Sequence, residues 1–132
     1  WNLASRWNDP SIAEIACAFA RLRERLRPML YEEAKACVKE DRPMMAHLCL
    51  DFPEDPLALA CVDEYMLGRK LLVAPIVQPG VEGRKVYLPK GRWKHFFTGR
   101  VYEGGQTVEL ACPLNEALVL EREEEERWNC AI

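Results

Sequence analysis

The chain has 132 residues, 49% of them hydrophobic and 30% charged, which is enough for one domain with a core, or for parts of two, and too apolar for a disordered tail. Its 18 basic and 21 acidic residues leave a formal charge of −3 and are interspersed, so no basic field exists to follow a phosphate backbone and nucleic acid is not an expected partner. No apolar run approaches the ~20 residues needed to span a bilayer, so a membrane is not expected as a partner either.

The first element in chain order is a helix. Asn8-Asp9-Pro10 reads as a helix start, a capping side chain followed by a proline whose missing N–H would be unpaired in the first turn in any case. Ile12, Ile15, Phe19, Leu22, Leu26 and Met29 then recur at spacings of three and four and define one buried side, while Arg21, Arg23, Glu24, Arg25 and Arg27 fall mostly on the other faces. Pro28 sits inside this pattern and cannot donate to the carbonyl of Glu24, so a kink or break is expected there, with a second helical segment from Tyr31 to about Glu40.

Beyond residue 43 the periodicity changes. Met45 to Phe52 is a short apolar segment, and Pro53 and Pro56 bracket a turn with Glu54 and Asp55 exposed. Leu71 to Val77 reads as an edge or bulged strand interrupted by Pro75. Lys85 to Leu88 and Arg92 to Phe97 read as strands joined by a tight Pro89-Lys90-Gly91 turn. Val101-Tyr102, Thr107 to Leu110 and Ala117 to Leu120 complete a set of short strands at the spacing of an antiparallel sandwich, and Glu121 to Arg127 reads as a solvated charged end.

Few residues are candidates for chemistry. Cys17, Cys37, Cys49, Cys61, Cys112 and Cys130 form no C-x-x-C pair and no histidine lies at ligand spacing, so neither a metal nor another cofactor is expected. Cys17 and Cys37 fall in the helical pattern, where a free cysteine packs as a small hydrophobe, and reduced thiols place the chain in the cytoplasm. His47 and His95 have no nucleophile or carboxylate at a spacing that forces contact. Asp51, Glu54, Asp55, Asp63 and Glu64 could flank a glycosidic bond, but their placement around prolines reads more simply as turn and cap chemistry. Trp93, Phe96 and Phe97 could stack on a sugar ring; on alternate positions of a strand, Trp93 and Phe97 read more simply as core. No residue of the chain is therefore assigned a catalytic, substrate-binding or metal-binding role.

Several motifs taken together carry a resemblance. Pro43-Met44-Met45, Leu50-Asp51-Phe52-Pro53-Glu54-Asp55-Pro56, Tyr65-Met66-Leu67-Gly68, Leu71-Leu72-Val73-Ala74-Pro75, Val86 to Trp93 and Phe97-Thr98-Gly99, in that order, resemble the C-terminal part of glycoside hydrolase family 31, which includes α-glucosidases and α-xylosidases. The resemblance covers residues 1 to 122. It implies an α+β fold made of the terminal helices of a β/α barrel followed by a small antiparallel β-sandwich. Residues 1–56 would be the end of the barrel and the connector, and residues 57–132 the proximal C-terminal sandwich. It further implies a retaining glycosidase for terminal α-glucosyl or α-xylosyl residues, whose two catalytic aspartates lie upstream of the matching segment, so that this chain supplies scaffold and is inactive alone. The expected partner is the rest of the barrel, missing or separately encoded, and oligosaccharide is met only through the full enzyme. A non-catalytic sugar-binding or subunit-contacting module is the alternative. The chain departs from the family pattern at Ala46, where arginine is usual, at Asn115, where aspartate is common, and at Leu118, where proline is common.

Overall fold

The computed structural model describes residues 2–123 and divides the chain into two units, Trp1–Arg42 and Pro43–Ile132. The acidic cluster at residues 124–126, and with it most of the expected charged end, lies outside the described residues.

The first unit is helical, with a short α1 (Leu3–Trp7) and a long α2 (Pro10–Lys39). Asp9 is the N-cap of α2. Its Oδ1 accepts from the backbone N–H of Ser11 at 2.9 Å, and Pro10 occupies the first helical position. The helix ends where Asp41 turns left-handed at φ 52°. There the Arg42 N–H reaches the Cys37 carbonyl at 2.9 Å and the Asp41 N–H reaches that of Val38 at 3.3 Å, closing two of the terminal carbonyls. The break expected at Pro28 does not occur: α2 is assigned as one helix through it. One missing N–H among thirty residues is outweighed by the hydrogen bonds on either side. The stripe from Ile12 to Met29 shares a face as the spacing requires, yet Ile12, Ile15, Phe19, Leu22, Leu26 and Met29 are all half-buried and none is buried.

The second unit is built from two antiparallel sheets. The larger holds β1 (Met45–Ala46), β2 (Tyr65–Leu67), β3 (Leu71–Val73), β5 (Arg92–His95), β6 (Val101–Glu103) and β8 (Val119–Glu123), in the order β1-β2-β3-β8-β5-β6. The smaller pairs β4 (Gly83–Leu88) with β7 (Gln106–Ala111). Strand periodicity decides what faces inward. In β5 Trp93 and His95 are buried while Arg92 and Lys94 are exposed, and in β4 Val86 and Leu88 are buried. Met66, Leu72, Trp93 and Leu120 of the larger sheet meet Val86, Leu88 and Leu110 of the smaller in one core, which makes the unit a sandwich. Ala46 and Leu118, both departures from the family pattern, are 2% exposed and belong to this core.

Four local expectations change. The strand expected over Leu71 to Val77 stops at Val73, because Pro75 has no N–H to continue the ladder. The strand expected to reach Phe97 stops at His95, and Phe96 and Phe97 lie in the turn that follows. The strands around Pro89-Lys90-Gly91 are not a hairpin: β4 pairs with β7, β5 pairs with β6 and β8, and the turn carries the chain from one sheet to the other. Between the two prolines and β2 there is an additional short helix, α3 (Pro56–Ala60), after a 3-10 turn at Leu48–Leu50.

Candidate functional site

The acidic residues around the prolines are gathered into one polar network at the edge of the sandwich core. Asp55 caps α3, its Oδ1 accepting from the N–H groups of Leu57 at 3.0 Å and Ala58 at 3.3 Å, with Pro56 in the first turn. Its Oδ2 accepts from the Tyr87 hydroxyl at 2.5 Å. That bond holds the Asp55 carboxyl below the usual carboxylate range, while burial and the adjacent carboxylate push the Tyr87 phenol up to about 12.

Glu64 lies directly before β2 with its side chain 2% exposed. Oε1 accepts from the Tyr87 N–H at 2.7 Å, and Oε2 has no hydrogen-bond partner. Burial without enough donors raises this carboxyl to about 7, against the pull of the Tyr87 N–H and of the Arg84 guanidinium 3.6 Å away. Arg84, on β4, reaches two loops, the one before β2 and the one after β3. Its Nη2 meets Asp63 Oδ2 at 2.6 Å, and its Nη1 donates to the carbonyls of Asp63 at 3.0 Å and Pro75 at 2.9 Å. Cys61, the C-cap of α3, directs its thiol toward Asp63 Oδ1 at 3.6 Å, and burial raises that thiol to about 11. Cys61, Asp63 and Glu64 each offer one ligand atom within 4.8 Å of the others. The cleft bordering Asp63 and Arg84 has a volume of about 240 Å³, below the ~300 Å³ at which small-molecule pockets begin. Asp63 and Glu64 are therefore a poor pair for flanking a glycosidic bond.

The remaining candidates are structural. Glu54 is exposed. Trp93 is fully buried, donates from Nε1 to the Pro89 carbonyl at 2.7 Å and packs obliquely on Phe52 with ring centroids 6.3 Å apart. It is core, and no ring of it is offered to a sugar. Phe96 and Phe97 are half-buried and meet edge to face. His95 is 2% exposed and its Nδ1 accepts from the N–H groups of Phe97 and Thr98, closing the turn; burial lowers its pKa, which favours the neutral ring. His47 is exposed and caps the 3-10 turn through the Cys49 N–H at 3.1 Å. A second cleft of about 630 Å³ is lined mainly by cations, among them Arg69, Lys90, Arg92 and Arg122, with Asp51 and Phe52. Arg122 lies over the Phe52 ring at 5.1 Å and Arg92 pairs with Glu103 and Glu123, each at 3.4 Å. Arg84 and Tyr87 are the residues that sequence reasoning missed. Their only advance signal is an arginine and a tyrosine on a strand otherwise alternating into the core.

The profile of the Glycosyl hydrolase family 31 C-terminal domain matches residues 41–125. The chain belongs to glycoside hydrolase family 31. Among family 31 relatives, the isomaltosyltransferase of Sporosarcina globispora is 31% identical over 116 residues, 88% of this chain and 11% of that protein. The 1,3-alpha-isomaltosidase of Kribbella flavida is 36% identical over 99 residues, 75% of this chain and 14% of that protein. The solved structure of the cycloalternan-degrading enzyme from Trueperella pyogenes in complex with isomaltose superposes with a TM-score of 0.91 at 33% identity, covering 95% of this chain and 18% of that one. The chain thus spans between 11% and 18% of the length of these family 31 members.

Proposed function

We propose that this chain is the C-terminal portion of a retaining α-glycosidase acting on terminal α-glucosyl or α-xylosyl residues, and that it supplies scaffold while the catalytic carboxylates lie elsewhere. The observation that carries this reading is the burial of Trp93 with its indole N–H satisfied by Pro89, which turns the strongest sugar-binding candidate into a packing residue. Support comes from the polar network, whose carboxylates cap a helix, accept from a backbone N–H or pair with Arg84, the cleft at Asp63 being only about 240 Å³. In the complete enzyme one carboxyl protonates the glycosidic oxygen and a second attacks the anomeric carbon, and water then releases the sugar.

The first unit is read as the last helical layer of the β/α barrel. Its partner is the rest of that barrel, and the half-buried stripe from Ile12 to Met29 supports this, since such a stripe has apolar area left to cover. A reducing compartment, the cytoplasm, suits the free thiols at Cys17, Cys37, Cys49, Cys61 and Cys112. Among the described residues no helix is long and apolar enough to cross a membrane. The test is an assay of the purified chain with aryl α-glucosides and α-xylosides. No turnover is expected, and hydrolysis that co-purifies with the chain through successive columns would overturn the scaffold reading.

A further inference from the structure

We propose that Cys61, Asp63 and Glu64 form a binding site for a thiophilic divalent cation of the zinc class, with Arg84 as its outer support. Three ligand atoms, one from each residue, lie within 4.8 Å of one another; Cys61 Sγ and Asp63 Oδ1, 3.6 Å apart, are already at the roughly 3.3–3.8 Å of donors on a shared tetrahedral ion, and the remaining gap closes by side-chain rotation. A separate observation points the same way. Glu64 is 2% exposed in its side chain, and its Oε2 has no hydrogen-bond partner, an arrangement that costs folding free energy unless some ligand takes that oxygen.

The hydrogen bonds around the site hold the ligands' outer sides and leave the inner ones open. Arg84 Nη2 takes Asp63 Oδ2 at 2.6 Å, so Oδ1 is left facing the Cys61 thiol. The Tyr87 N–H takes Glu64 Oε1 at 2.7 Å, leaving Oε2. Ligating carboxylates supported from outside in this manner keep their orientation when the ion arrives. Charge fits as well. A thiolate and two carboxylates sum to three negative charges and Arg84 returns one, so a divalent cation makes the cluster neutral. One sulfur with two oxygens selects a borderline cation over calcium or magnesium, which require oxygen ligands throughout. The cleft of about 240 Å³ reaches one of the three ligands, Asp63, beside its Arg84 partner. Sequence spacing did not reveal the site because C-x-D-E contains neither a second cysteine nor a histidine.

The test is a titration of the full chain, first stripped with chelator, with cobalt(II) as a spectroscopic probe and with zinc(II) in competition. Expected are one equivalent bound, a thiolate-to-cobalt charge-transfer absorption displaced by zinc, and a higher unfolding temperature in zinc. C61S should abolish the absorption, and D63N or E64Q should weaken binding about 10–100-fold, whereas C112S should leave both unchanged. Circular dichroism of each variant checks that it folds. The proposal fails if wild-type protein gives no such absorption, if the absorption survives C61S, or if calcium and magnesium compete as well as zinc, which would mark a non-selective acidic surface.

Discussion

The Tyr87 hydroxyl and the Asp55 carboxylate, 32 residues apart in sequence, meet at 2.5 Å, and through this bond β4 holds the N-terminus of α3. Asp55 thereby works twice, capping the helix with one oxygen and anchoring it to the sandwich with the other. Tyr87→Phe removes the anchor and keeps the ring. Because the bond is charge-assisted, the substitution should cost about 1.5–3 kcal/mol. Two pH dependences should go with it. The Asp55 carboxyl lies below its ordinary 3.8, so its contribution is present above that value and is lost as pH falls through the folded pKa. The Tyr87 phenol lies at about 12 against an ordinary 10.0, so its contribution is complete below 10 and is lost as pH rises toward 12. Urea titrations across pH should show both losses in wild type; in Y87F the alkaline loss should vanish and the acid loss should shrink to what the Leu57 and Ala58 cap bonds sustain.

Trp93 tests the scaffold role directly. Trp93→Ala should destabilise the chain by about 3–5 kcal/mol through the cavity left in the core. Trp93→Phe should cost about 1–3 kcal/mol, because the carbonyl of the buried Pro89 loses its indole donor. Circular dichroism during urea unfolding measures both. If Trp93→Phe left stability unchanged and weakened binding to α-glucan, the residue would be a sugar platform after all.

The degree to which this architecture could be read in advance depends on how local its determinants are. Asp9 before Pro10 marks the start of α2 because cap and proline act within one turn. The inward Trp93 and the turn at Gly91 follow from strand alternation and the positive φ of 131° there. The five-residue α3 left no periodic trace, since a single turn cannot repeat a 3.6-residue pattern. Pairing was hidden for another reason: β8 enters between β3 and β5, so Leu120 lies opposite both Leu72 and His95, a choice no neighbouring residue encodes. The polar network was hidden likewise, because Glu64 meets Tyr87 and Arg84 meets Asp63 only after the sheets have packed.

Glu64 should make stability pH-dependent in the neutral range. Its folded pKa of about 7 lies above the ordinary 4.5, so the folded state holds the extra proton between these values. Stability should then fall as pH rises from 4.5 through 7 and level off above. Glu64→Gln, neutral at every pH and still able to accept from the Tyr87 N–H, should flatten this slope and unfold at higher urea than wild type at pH 8, by about 1–2 kcal/mol. The comparison is made in chelator so that proton and cation effects stay apart. A slope of the same size in E64Q would assign the dependence to another group.

The two glycines between β6 and β7 should respond to the same substitution to different degrees and for different reasons. Gly104 donates to the Gly91 carbonyl at 2.6 Å and Gly105 to that of Leu88 at 2.7 Å, which fastens this turn against the one between β4 and β5. A Cβ at Gly104 would overlap the Pro89 carbonyl oxygen and sit 2.8 and 2.9 Å from the Gly91 oxygen and nitrogen. All three are backbone atoms, so no side chain can move aside, and Gly104→Ala should cost about 3 kcal/mol or more. At Gly105 a Cβ meets nothing within 4 Å but the backbone is left-handed at φ +76°, so Gly105→Ala should cost only about 1–2 kcal/mol. Thermal melts of the two variants should rank Gly104→Ala well below Gly105→Ala, and the reverse order would mean that the two turns can separate without loss to the core.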